Sequence, residues 1–202
     1  MNRRQFAQSI AAVTLSAPAG AAPAGGAIQI GSRRELLIDD FLVDHLSGRA
    51  ALRIHHPERR EIAVNHDQPW EGCGSAYHTV FQDGSRYRMY YKAWAHEFDK
   101  TTKHPLVIAY AESRDGIHWE KPDLGLVSFQ GSKKNNIILD NTHGNYAHDF
   151  NPFIDTNPAA TPAARYKAVG YAKPHGLYAL KSSDAIHWEL MSEQPIITKA
   201  AF

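Results

Sequence analysis

From Ala76 onward, apolar and polar positions alternate in short runs separated by turn residues, and no stretch of ten or more residues carries a 3.6-residue apolar period. That pattern predicts β-strands and little helix. The first series reads "AYHTVFQ" (76–82), the turn signal Asp83-Gly84-Ser85, and "RYRMYYKAW" (86–94), a hairpin. After a polar loop containing Pro105 come "LVIAYAES" (106–113), the tight turn Arg114-Asp115-Gly116 and "IHWE" (117–120). The second series repeats the order: "DFNPFI" (149–154), a Pro- and Ala-rich loop, "RYKAVGYA" (165–172), "GLYALKS" (176–182), the turn Ser183-Asp184-Ala185, and "IHWE" (186–189). The predicted fold class is therefore all-β, with four antiparallel strands written twice.

The repetition is literal at the last turn of each series. "SRDGIHWE" (113–120) returns as "SSDAIHWE" (182–189), with Asp115 and Asp184 separated by 69 residues (184 − 115). The carboxylates of Asp115 and Asp184 are placed to accept from the turn amides, Ser113 and Ser182 to brace the same turn, and Trp119 and Trp188 to bury a large ring between sheets. Gly116 is replaced by Ala185 in the second copy, which argues against an obligatory positive φ there. A four-stranded antiparallel sheet cannot hide both faces alone, so such units stack, most often around an axis as propeller blades. The expected blades run from about 74 to 122 and from about 146 to 190.

Composition narrows the picture. The chain has 202 residues, 43% hydrophobic and 10% aromatic, enough for one ordinary core. Its formal charge is +1 and no run of basic residues is longer than a pair such as Arg33-Arg34, Arg59-Arg60 or Lys133-Lys134. No nucleic-acid or acidic-membrane partner is expected from that balance. The single cysteine, Cys73, cannot form an internal disulfide and reads as packing. Asn135-Asn136 and the stretch Asn141 to Asn145 read as turn residues between blades.

The chain carries two resemblances. Residues 1–27, "MNRRQFAQSIAAVTLSAPAGAAPAGGA", join Arg3-Arg4-Gln5-Phe6 to an apolar run of about ten residues and an Ala22-Pro23-Ala24 cleavage pattern. They resemble a bacterial twin-arginine export signal, with Asn2 where Ser or Thr is usual, and this implies a periplasmic or extracellular protein, free of the membrane once the leader is removed. From about Glu35 to Phe202, the S-x-D-G-x-x-W hairpin after a Y-R-M-Y-Y strand resembles the five-bladed β-propeller glycoside hydrolases: the arabinanases, xylosidases, invertases and levansucrases. The hairpin is also similar to the sialidase Asp-box, departing by one residue because Gly116 directly follows Asp115. At roughly 45 to 70 residues per blade, the chain holds about two blades of such a ring. The apolar ending "PIITKAAF" (195–202) reads as entry into a further one, so residues 28–202 are expected to be a partial propeller.

The chemistry that the resemblance implies starts from the axial funnel, where each blade's innermost strand presents its residues. Hydrolysis of a glycosidic bond takes two carboxyl groups, one protonated and one ionised. In the resembled superfamily the second blade's inner strand carries an acidic residue that tunes the acid and holds the sugar; "NYAHDFNPF" offers Asp149 for that place, with His148 beside it and Asn151 on the same face. The first blade carries the base or nucleophile, for which "NHDQPWEGCGSAYH" offers Asp67, with Glu71 as its rival. Asp39 and Asp40 in "ELLIDDFLVD" are a third choice, in a segment that reads as a buried, ring-closing strand. The general-acid Glu belongs to a third blade, so the chain alone is expected to be inactive.

Trp70, Tyr77 and Trp94 are candidates to stack on sugar faces, with inter-blade core as the alternative use of those rings; His78 is a further candidate contact. His66, His78, His143 and His148 fit no metal-ligand spacing, so neither metal nor cofactor is expected, a calcium ion on the axis staying open. Two functions remain: part of an exported glycoside hydrolase-like protein with a carbohydrate substrate, or a non-catalytic propeller that binds glycans or proteins.

Overall fold

A computed structural model describes residues 27–39, 41–95, 104–140, 148–172 and 176–198. The chain divides into two units, Met1–Glu58 and Arg59–Phe202. In the first, the described residues form turns and bends without a strand. The segment expected to be a buried strand is instead open to solvent: Leu36, Leu37, Ile38 and Phe41 are exposed, and Asp39 Oδ1 accepts from the Phe41 amide at 3.1 Å. Among the described residues of this unit no strand is present to complete a ladder. Asp40 lies outside the described residues.

The second unit is all-β and antiparallel, and its described residues contain no α-helix. Sheet one runs in the order β1 (Ala76–Asp83), β2 (Arg86–Ala95), β3 (His104–Ser113), β4 (Trp119–Glu120), with β5 (Ile137–Leu139) also pairing with β3. Sheet two repeats the meander with β6 (His148–Ile154), β7 (Tyr166–Ala172), β8 (Gly176–Ser182) and β9 (Glu189–Leu190). The β1–β2 hairpin closes with Asp83 opposite Arg86 and Gly84 at φ 62, the left-handed turn geometry that splays strands least.

Strand β2 is buried on both faces, and its alternation sorts two cores. Tyr90 points into a cluster shared by both sheets, with Ile108, Tyr110, Phe150, Tyr166 and Leu180, flanked by Phe81 and Trp188. Met89, Tyr91 and Ala93 join Val107, Ala109, Ala111 and Ile137 on the other face, covered by Val64, Trp70, Trp119, Val127 and Phe129. Trp188 therefore packs between the sheets, edge-on to Phe150 at 5.1 Å, whereas Trp119 packs on the far face of sheet one.

The repeated corner has the same bonds in both copies. Ser113 Oγ accepts from the Asp115 and Gly116 amides at 3.2 and 2.9 Å, and Asp115 Oδ1 accepts from the Ile117 and His118 amides at 2.8 Å each. Ser182 and Asp184 hold the second corner through the matching amides at 3.2, 2.8, 2.9 and 2.8 Å. In each, the outer carboxylate oxygen meets a histidine Nδ1, that of His118 or His187, at 2.7 Å. One expectation is overturned: Gly116 and Ala185 both have positive φ, 78 and 70. The serine and aspartate bonds fix the turn so tightly that alanine is held in a conformation that glycine prefers.

The asparagines expected in an inter-blade turn are also reassigned. Asn135 and Asn136 are buried, and the side chain of Asn136 donates to the Tyr91 hydroxyl at 2.9 Å and the Tyr110 carbonyl at 2.6 Å. They lead into β5, and buried amides in that position satisfy backbone groups the short strand leaves open. Asn141 to Asn145 lie outside the described residues. Cys73, expected to pack, is exposed on the loop before β1.

Candidate functional site

Strands β1 and β6 are the leading strands of the two meanders, and they lie side by side: Thr79 Oγ1 donates to Asn151 Oδ1 at 3.1 Å. Each is bulged at the same place, between Ala76 and Thr79 in β1 and between His148 and Asn151 in β6. At each bulge a non-glycine residue is left-handed, Tyr77 at φ 54 and Asp149 at φ 53. A bulge re-aims the side chain it carries, and positive φ in such residues costs of order 1–3 kcal/mol.

Asp149 is thereby turned out at the head of β6, its carboxylate partly exposed and 2.7 Å from His148 Nδ1. The His148 ring meets Tyr171 edge-on at 5.9 Å. Tyr77 is 60% exposed. The Lys92 ammonium lies 4.2 Å from the Tyr77 ring centroid and 4.8 Å from that of Trp94. Burial pushes the Lys92 pKa down, and the Asp149 carboxylate opposes that shift without forming an ion pair. A loop packs closely behind Trp94: a Cβ on Gly74 would run into the indole, and one on Gly72, at φ 55, into the Trp94 backbone.

Glu71 belongs to the opposite face of β2 and is completely buried. Its carboxylate accepts from the Tyr91 hydroxyl at 2.5 Å, the Gln68 amide at 2.8 Å and Lys121 Nζ at 2.8 Å, with His66 Nδ1 at 3.4 Å. Burial raises its pKa, but Lys121, Tyr91 and the Gln68 amide outweigh burial and hold the carboxyl below its usual value. A carboxylate so enclosed has no face left for a substrate, so Glu71 is the knot of the loop before β1 rather than a reacting group. His78 stacks on Tyr91 at 5.4 Å and shares an Nε2–Nε2 contact of 2.9 Å with His66; burial, then His66, lowers its pKa. Asp67 is exposed beside this knot, held below the usual carboxylate value by Gln68 and Lys121.

Of the residues the sequence nominates, Tyr77, His148, Asp149 and Asn151 gather along β1 and β6, with Trp94 joining them. Asp67, Glu71, Trp70 and His78 lie on the other face. Trp70 serves the core: its Nε1 donates to Asn136 Oδ1 at 2.7 Å and its ring meets Phe129 edge-on at 6.1 Å. His143 lies outside the described residues, and among the described residues no group of three His, Cys, Asp or Glu side chains could hold a metal ion. Lys92 is the residue that sequence reasoning misses. Its signal is a lysine inside "RMYYKAWA", an otherwise apolar and aromatic strand.

The chain is similar to uncharacterised proteins from two strains of Mycobacterium tuberculosis, 46% identical over 57 residues, which are 28% of this chain and 19% of each relative. It thus spans about a fifth of the length of those relatives. No protein-family profile and no solved structure matches it.

Proposed function

We propose that this chain is part of an exported, propeller-type carbohydrate-active protein, with β1 and β6 as inner blade strands and Asp149 as the carboxylate that meets the sugar. Asp149 carries the proposal: a carboxylate is held in a strained, bulged conformation at the junction of two repeated meanders, and it shares Lys92 as a neighbour with the exposed Tyr77 ring. Strain of that kind persists where surrounding structure fixes it, and a sugar site uses both parts, an aromatic ring for the C–H face and a carboxylate for hydroxyls or charge. The repeated Ser-Asp corners, the two meanders and the leader resemblance support the same reading. Asp67, expected as the base or nucleophile, is open to solvent but lies on the other face of β2 from Asp149, so it is given no part in this site.

The test uses the full-length protein on a panel of plant and microbial polysaccharides and aryl glycosides. Asp149→Asn is expected to abolish hydrolysis, with a loss of at least 100-fold in kcat/KM, while the melting temperature stays unchanged. Turnover retained by that variant overturns the assignment.

A second reading is a glycan-binding propeller without catalysis, in which the exposed Tyr77 ring and the Asp149 carboxylate hold a sugar that is not cleaved. Saccharide binding by the full-length protein with no hydrolysis of any bound glycan decides for this reading.

A further inference from the structure

Among the described residues of the two sheets, Lys92 is an anomalous charge. It is only 7% exposed, yet among those residues its ammonium makes neither a hydrogen bond nor an ion pair. Other sheltered cations have a carboxylate at contact: Arg88 has Asp83 at 2.8 Å, and Lys121 has Glu71 at 2.8 Å. Lys92 has two aromatic rings instead. Withdrawing an ammonium from water costs more than two cation–π contacts return. The cage therefore leaves the charge under-compensated. Asp149 lies near enough to act on Lys92 through space, but its carboxylate is already engaged by His148 at 2.7 Å.

A ligand that brings one negative charge to Lys92 and a sugar face to Tyr77 satisfies both features at once. We infer that the site selects an acidic saccharide, its singly charged group paired with the Lys92 ammonium and its ring laid on Tyr77; the inference rests on the carbohydrate reading of the site. A single ammonium suits a monoanion, a uronate carboxylate or a sulfate ester, whereas a phosphate dianion calls for several converging donors.

The experiment titrates the full-length protein calorimetrically with oligogalacturonides and glucuronoxylan oligomers, with the same oligomers reduced at the carboxyl, and with O-sulfated versions of the reduced oligomers. Acidic oligomers are expected to bind at least tenfold tighter than the neutral ones, the uronate and sulfate arms telling which anion is taken. The ratio is expected to shrink severalfold in 1 M NaCl, to collapse toward one in Lys92→Met and to persist in Lys92→Arg. Equal binding of acidic and neutral oligomers, or an unchanged ratio in Lys92→Met, overturns the role of Lys92 and leaves the carbohydrate reading standing. Absence of binding to every oligomer overturns both. The salt dependence of the unaltered protein gives the answer even if Lys92→Met does not fold.

Discussion

Ala185 shows how much a single residue can hide. Its side chain is fully buried, its φ is 70, and its carbonyl accepts from the Tyr90 hydroxyl at 2.9 Å and the Trp188 indole at 3.3 Å. An alanine in sequence signals nothing left-handed, so the conformation is invisible until the Ser182 and Asp184 bonds are seen to impose it. Gly116 occupies the same place in the first copy with φ 78, and the nearest atoms to an added Cβ would be those of the Tyr87 ring at 3.8 Å, an ordinary contact. Space is therefore available and only the backbone preference opposes the change. Gly116→Ala is expected to fold normally and to lose about 1 kcal/mol, the cost of one alanine in the left-handed region. Urea denaturation measures it, and a loss above about 3 kcal/mol would mean that the first corner is not held as the second is. Asp149 and Tyr77 are equally illegible as strained residues, although Asp149 is legible as a candidate from its place at the head of a strand.

At the scale of the element, alternation reads the long strands well and misreads the short segments beside them. The runs 76–82, 86–94, 106–113, 149–154, 165–172 and 176–182 coincide with β1, β2, β3, β6, β7 and β8 to within one or two residues. In the final "IHWE" segments pairing is confined to Trp119–Glu120 in the first copy and begins only at Glu189 in the second, because the aspartate carboxylates claim the isoleucine and histidine amides that a longer strand would need. Strand β5 escapes the pattern because the buried Asn135-Asn136 that precedes it has the composition of a turn.

The two corners, alike in sequence, differ in surroundings. The first is largely exposed, while the second is wedged against Tyr90. Asp184→Ala is expected to cost about 1 kcal/mol, the size of a lost side-chain cap, and to cost more than Asp115→Ala. Burial raises the Asp184 pKa, but the His187 amide and ring, the Ile186 amide and Ser182 overcome that and hold it well below the usual carboxylate range. A depressed folded pKa places the stabilisation above the unfolded value of about 4 and removes it as pH falls. The gap in stability between wild type and Asp184→Ala should close as pH falls below about 4. A gap that stays open in acid would remove the carboxylate from the corner's stability.

Across the whole two-sheet unit, the contact least readable from sequence is the one that ties the sheets at their outer end. Asp83 has the look of a hairpin residue, yet its side chain is 8% exposed and gathers three donors. They are Arg88 Nε at 2.8 Å from its own sheet, and Arg165 Nη2 and the Tyr166 hydroxyl from sheet two, each at 2.7 Å. Burial raises the Asp83 pKa, but Tyr166 and Arg88, then Arg165, bring it below the usual value, so the bond network is complete above about pH 4 and fails as acid protonates it. The three donors do not count equally. Arg165 is half-exposed, and pairs of that kind contribute about 0–1 kcal/mol. Arg88 is sheltered against the Tyr110 and Tyr166 rings, so removing Asp83 leaves a buried guanidinium with the Tyr110 hydroxyl and no carboxylate. Asp83→Ala is therefore expected to cost about 3 kcal/mol, toward the range for breaking a buried pair, whereas Arg165→Met should cost under about 1 kcal/mol. Guanidinium or urea denaturation of both variants at pH 7 and pH 3 checks the ordering, and the Asp83→Ala deficit should be smaller at pH 3, where wild type begins to lose the same charge. Equal costs for the two variants would place the tie between sheets in the exposed pair instead, leaving the buried Arg88 without the role assigned to it.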